Sequence, residues 1–252
     1  MKKLSFALLF CLAASTAFAQ TQIRVTVTTE GPVGLAPVFA AFHDGSYDIF
    51  DTGATSSAEL ETLAEVGDPS GLVGAAPAGV TAGGFAPGGP FAPNGGTGSM
   101  DFTVANNQTS FSFASMVLPT NDWFIGNNVA YDISSLINAA PGTTLTFDQT
   151  RVYDAGTEEE DFAFAPGGGL VGITTPADPA GGASTMDAIS LVTGPDPFAA
   201  FDNIEPVGFD TTTIDFTNGS VATLSLTVVP EPASLGMAAF GLLSLLGLRR
   251  RR

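Results

Sequence analysis

Five carboxylates crowd into the nine residues Tyr153-Asp154-Ala155-Gly156-Thr157-Glu158-Glu159-Glu160-Asp161. They follow a β-type run, Thr143-Thr144-Leu145-Thr146-Phe147, and the short segment Arg151-Val152-Tyr153. Asp and Thr bond their own backbone and Gly tolerates positive φ, so the stretch is predicted to be a loop at a strand end. Carboxylates at this density repel one another unless water separates them or a cation is shared. Hard oxygen donors suit Ca²⁺, which takes about 6–8 of them from carboxylates, carbonyls and water. Taken alone, the stretch is therefore either a solvated acidic loop or part of a Ca²⁺ site.

Other chemistry is sparsely supplied. The connection His43-Asp44-Gly45-Ser46-Tyr47-Asp48-Ile49-Phe50-Asp51-Thr52-Gly53 is acidic and turn-rich, but its acids do not fall at the alternate positions of an EF-hand loop. A solvated or turn-forming role is expected there. His43 is the single histidine, so a Ser/His/Asp set would depend on it, and no G-x-S-x-G elbow accompanies any serine. A zinc site would want a second histidine or cysteines. A carboxylate-dependent glycan hydrolase needs only two acids about 5–10 Å apart. That is the alternative function, and one Trp with three Tyr supplies poor material for its aromatic cleft. The chain is read as a non-enzyme.

Both ends carry targeting signals. Met1-Lys2-Lys3, an apolar run over residues 4–14 and Ala17-Phe18-Ala19 form a signal peptide (residues 1–19), with cleavage expected between Ala19 and Gln20. The only cysteine, Cys11, lies within it, so the mature chain has neither disulfide nor thiol chemistry. At the other end, Pro230-Glu231-Pro232 precedes an apolar run over residues 233–248 and four terminal arginines. Such a run, as a helix, spans about 24 Å, short of a roughly 30 Å hydrocarbon core. The arginines would stay cytoplasmic and leave the preceding domain outside. A plain anchor explains the helix and arginines but not the Pro-Glu-Pro. The layout of residues 230–252 closely resembles the PEP-CTERM sorting signal of Gram-negative bacteria. That resemblance implies export across the inner membrane, transient anchoring through the C-terminal helix, processing by an exosortase, and delivery to the cell surface or exopolysaccharide matrix.

Apart from the six basic residues of these two segments, only Arg24 and Arg151 remain. Two cations against 25 acids give a balance of −23 for residues 20–248. A field of this sign repels nucleic acid and anionic lipid and favours cations. Roughly 210 residues between the signals suit one domain with a real core.

Strands are predicted at Gln22-Ile23-Arg24-Val25-Thr26-Val27-Thr28-Thr29, which alternates, and at Pro37-Val38-Phe39-Ala40-Ala41-Phe42-His43, whose continuous apolarity suggests burial on both faces. One helix is predicted over 58–66, with Ser56 or Ser57 as cap, a capping box between Ser56 and Glu59, and Gly67 as stop. Its inward face would be Leu60, Leu63 and Ala64. The Gly/Pro-rich segment of about 71–98 reads as a weakly structured insertion. Further strands are expected over 99–104, over 109–117 (half-buried, with serines outward), after Asp122, over 161–165, and in a hairpin joining 212–216 to 220–228 around Asn218-Gly219.

Two blocks carry a second resemblance. Phe113-Ala114-Ser115-Met116-Val117-Leu118-Pro119-Thr120-Asn121-Asp122-Trp123-Phe124-Ile125-Gly126 and Tyr153-Asp154-Ala155-Gly156-Thr157-Glu158 resemble, in order, two blocks of the spondin N-terminal domain. Pro37 to Gly45 and Phe50-Asp51-Thr52-Gly53 agree with its bacterial branch. The resemblance implies an all-β fold over residues 20–229, an antiparallel β-sandwich of C2-like type, with Ca²⁺ bound by acids of both blocks. The implied ligands are Asp122, Asp154 and Glu158. Glu158 stands where animal members have Asp, and Glu159, Glu160 and Asp161 would be outer-shell or solvated. The function so implied is a non-catalytic, Ca²⁺-binding adhesive or matrix module, with matrix polymers as partners.

Overall fold

The computed structural model describes residues 20–31, 33–86, 89–118, 120–159, 184–193 and 220–230. The first strand, β1 (Gln20–Thr29), has the alternating burial its sequence requires: Ile23, Val25 and Val27 are buried while Arg24 faces water. It pairs antiparallel with β5 (Thr97–Ala105) on one edge and β12 (Ala222–Val228) on the other, and β12 pairs in turn with β9 (Thr144–Gln149). These four strands, in the order β5-β1-β12-β9, form one sheet.

The second sheet contains β3 (Val38–His43), β4 (Thr81–Phe85), β6 (Ser110–Leu118), β7 (Trp123–Gly126), β10 (Val152–Asp154) and β11 (Ser190–Leu191). Its order is β11-β10-β7-β6-β3-β4, with the two-residue strands β2 (Gly34–Leu35) and β8 (Tyr131–Asp132) also on β6. Ile23, Val25, Phe102, Leu224 and Leu226 from the first sheet meet Val38, Ala40, Phe42, Phe113, Ile125 and Val152 from the second in one core. The chain is thus the predicted antiparallel β-sandwich.

The second sheet is covered on its outer face as well. Helix α1 (Ala58–Val66) lays Leu60, Leu63 and Ala64 against Phe39, Ala41, Phe124 and Tyr153. This explains the continuous apolarity of β3, every residue of which is buried. It also corrects the expectation for β6. Ser112 and Ser115 do not face water: Ser115 Oγ donates to the Ala36 carbonyl at 2.9 Å, and Ser112 Oγ bonds His43 Nε2 at 3.0 Å. A buried hydroxyl is tolerated where it finds a partner, and both do.

Three further expectations are corrected. The cap of α1 is Ser57, whose Oγ accepts the Leu60 N–H at 3.2 Å, whereas Ser56 Oγ donates to the Ala155 carbonyl at 2.8 Å. Ser56 therefore does not form the capping box with Glu59. The segment 71–98 holds most of a second helix, α2 (Ser70–Ala75), and the edge strand β4. Its glycines answer to packing: a Cβ on Gly83 would stand 2.9 Å from the Phe102 ring, and one on Gly84 would stand 2.5 Å from Pro69. The hairpin expected around Asn218-Gly219 finds no room on β12, because β1 and β9 occupy both of its edges. Residues 212–216, the strand expected over 161–165, the signal peptide and the apolar run over 233–248 lie outside the described residues. Among the described residues, no helix is long and apolar enough to cross a membrane.

Candidate functional site

The two sequence blocks meet on one short ladder. β7 and β10 pair through Ile125↔Val152, Phe124↔Tyr153 and Trp123↔Asp154, which brings the start of β7 beside the end of β10. One residue beyond the last pair, the Ala155 N–H donates to the Asp122 carbonyl at 3.2 Å. Thr120 shapes the approach: its Oγ1 donates to the Val117 carbonyl at 2.5 Å and accepts the Trp123 N–H at 3.2 Å.

The side chain of Asp122, fully buried, then holds the acidic turn. Its Oδ2 accepts the backbone N–H groups of Thr157 at 2.9 Å and Glu158 at 3.1 Å, with Thr157 Oγ1 at 3.4 Å. Other segments close on the same turn. Asn121 Nδ2 donates to the Glu159 carbonyl at 3.0 Å, and Ser56 reaches the Ala155 carbonyl from the start of α1. The Thr185 N–H donates to the Thr157 carbonyl at 2.7 Å and the Asp187 N–H to the Gly156 carbonyl at 2.8 Å. Gly156 is required twice over. Its φ is +67°, and a Cβ there would stand 2.7 Å from the Asp187 carbonyl oxygen.

Paired residues of an antiparallel ladder put their side chains on one face, and successive residues alternate. Asp154 therefore shares a face with Trp123 and Val152, which belong to the core between the sheets. Asp122 shares the other face with Ala155, packed on the α1 side. The structure thus brings Asp122 and Glu158 together and starts Asp154 from the opposite face. Among the described residues, no group of three or more His, Cys, Asp or Glu is gathered closely enough to hold a metal ion.

Burial shapes the electrostatics. It pushes the Asp154 carboxyl above its ordinary pKa; the Gly156 N–H bonded to Oδ1 opposes that, and the negative charge of Asp187 adds to it. Burial likewise pushes Glu65 up, with a bond from Thr157 opposing and the charges of Glu158 and Glu61 reinforcing. Glu65, Thr157 and Asp187 are parts of this end that the sequence reading did not single out. The signal for Glu65 was available: an acid in the last turn of a helix faces the negative end of the macrodipole, so another constraint must hold it there.

His43 offers no catalytic base to a substrate. It is fully buried, Nδ1 accepts the Gly45 N–H at 3.1 Å, and Nε2 faces Ser112. In the acidic connection after it, Asp44 Oδ1 accepts the Ser46 N–H at 3.1 Å, a turn-forming role.

The Spondin_N family model matches residues 28–165, more than half the chain and a span holding both blocks. The chain belongs to the Spondin_N family. This is a non-enzymatic domain family. In this spondin-N protein a second match, to the PEP-CTERM protein-sorting motif, covers residues 228–252 and includes Pro230, Glu231 and Pro232. The spondin-N chain is therefore an exported protein that an exosortase processes and sorts to the surface of a Gram-negative bacterium. No curated protein matches it.

Proposed function

We propose that this spondin-N protein is a non-catalytic adhesive or matrix module whose acidic end binds Ca²⁺. The observation that carries the reading is the Asp122 clamp, which ties the two sequence blocks into one partly buried end with no basic residue among the described residues. The two cations of residues 20–248 lie elsewhere. Arg24 bonds Asp101 at 2.7 Å on the other sheet, and Arg151 stands at the opposite end of the β7–β10 ladder. Carboxylates whose charge is disfavoured by burial and by each other are the donor set that a hard cation stabilises.

Asp122, Glu158 and Asp154 are the proposed oxygen ligands, with backbone carbonyls and water completing the set. Asp154 stands at the last rung of the ladder and Asp122 one residue beyond it, where side chains from the two faces can converge past the strand ends. The ion would neutralise charge and rigidify the turn, and further Ca²⁺ on the acidic surface would bridge to matrix polymers. Matrix partners and the transient C-terminal anchor belong to the same proposal.

Calorimetric titration of the purified mature protein with Ca²⁺ tests this. Heat of binding and a lower melting temperature in chelator are expected, Asp154→Ala should remove both responses, and Asp48→Ala should leave them. No heat together with no effect of chelator would overturn the Ca²⁺ reading.

A further inference from the structure

The opposite end of the β7–β10 ladder holds a cleft of about 280 Å³ where the residues after β7 meet those before β10. Its lining includes Asn128, Val129, Tyr131, Asp148, Thr150 and Arg151. Arg151 is exposed and forms no ion pair among the described residues, whereas the other cation of this part of the chain is held by Asp101 through two bonds. In a region of charge −23, this is the one surface point among the described residues that offers a guanidinium without an ion pair to an anion. We propose that the cleft is a subsite for an acidic sugar residue, a hexuronate within a polysaccharide, with Arg151 binding the carboxylate.

The chemistry of the lining selects this class. A guanidinium takes a carboxylate through two parallel N–H···O bonds. Asp148, whose carboxylate only accepts hydrogen bonds, stands in the same cleft and suits vicinal hydroxyls, while it opposes a dianionic phosphate monoester. Asn128 and Thr150 add neutral polar groups of the kind that read hydroxyls. Val129, 73 % exposed, gives an apolar rim for the C–H face of a sugar ring. The framework is rigid. Tyr131 stacks on Phe147 with ring centroids 4.1 Å apart and is bonded by Gln149 Nε2 at 2.8 Å. Asn127 bonds the backbone of Phe111, Phe113 and Val129, fixing the turn that presents its neighbour Asn128. The volume lies just under the roughly 300–1,000 Å³ of ordinary ligand pockets, enough for a small polar group and not for a large apolar one.

This inference rests on the adhesive reading but not on its Ca²⁺ component, and the experiment separates them. Fluorescently labelled glucuronate tetrasaccharide and its carboxyl-reduced counterpart are titrated against the purified mature protein in excess chelator. The acidic probe should bind about tenfold tighter or better, as a desolvated two-pronged pair allows. Arg151→Gln should erase the preference, Arg151→Lys should restore part of it, and Asp148→Asn should weaken both probes. Equal affinities, or a preference that survives Arg151→Gln, would overturn the site. Binding that appears only when Ca²⁺ is restored would also overturn it while leaving the Ca²⁺ bridge standing. No binding in either condition would remove the adhesive reading for this glycan class as well.

Discussion

Asp122 shows how much one carboxylate can organise. Its Oδ2 satisfies two buried N–H groups of a turn that lies 35 residues away in sequence. Asp122→Ala leaves both donors without that acceptor, and each unsatisfied buried group costs about 1–3 kcal/mol. A loss of roughly 2–6 kcal/mol is expected in urea unfolding, measured in chelator so that no ion contributes. An unchanged midpoint would show that the clamp does not hold the turn. His43 supports a prediction of a different kind. Because Nδ1 accepts the Gly45 N–H, the ring proton sits on Nε2 and is donated to Ser112. Burial pushes the imidazole below its ordinary pKa, against the weaker pull of Asp44 and Asp48. The unfolded chain takes up its proton near about pH 6.5, and the folded chain only at lower pH. The contribution of His43 is therefore complete above about pH 6.5 and is lost as pH falls toward the folded-state value. Between about pH 7.5 and 5.5 the melting temperature of the wild type should fall relative to that of His43→Gln, and parallel curves would refute the assignment.

At the scale of elements, the glycines of the segment 71–98 divide into two kinds. Gly83, on β4, lies under Phe102 of the facing sheet, so Gly83→Ala forces a core ring to move and should cost about 1–3 kcal/mol. Gly74, within α2, has nothing within 4 Å of its would-be Cβ, so Gly74→Ala should stabilise by up to about 1 kcal/mol. Opposite signs in thermal melts check the pair, and equal effects would deny that β4 packs as described. These residues also show what was legible in the sequence. Strand β1 and helix α1 announce themselves because half of each meets water, which imprints a period. The limits of α1, its buried Leu60, Leu63 and Ala64 and its stop at Gly67 agree with the expectation. β4 and the buried serines of β6 were not legible, because their composition is dictated by partners distant in sequence. Gly83 reads as low complexity until Phe102 is placed above it, and Ser112 reads as solvent-facing until His43 is placed beside it. The acidic end was half legible. The order of blocks points to Asp122 and the 154–158 turn, but only the Trp123↔Asp154 register reveals that Asp122 and Asp154 leave their strands on opposite faces.

For the whole molecule, the informative relation lies between the fold and its two targeting segments. β1 starts at Gln20, paired with Ala105, so cleavage between Ala19 and Gln20 would leave its ladder whole. β12 ends at Val228, and the Val229 N–H donates to the Gln22 carbonyl at 2.9 Å just before Pro230, which has no N–H with which to continue. Because β1 pairs with β12, the sheet closes only after nearly all of the intervening chain is present. Export of an unfolded chain followed by closure on the far side is compatible with that order, and the sorting signal begins where the ladder ends. Removal of residues 231–252 should therefore shift the melting temperature by less than about 2 °C, a change of under about 1 kcal/mol for a domain of this size. Removal of residues 222–252 takes away Leu224, Leu226 and Val228 from the core and uncovers facing edges of β1 and β9, so it should abolish the cooperative transition. A domain that melts cooperatively without β12, or one that loses stability when only residues 231–252 are removed, would show that fold and sorting signal are not separable at this boundary.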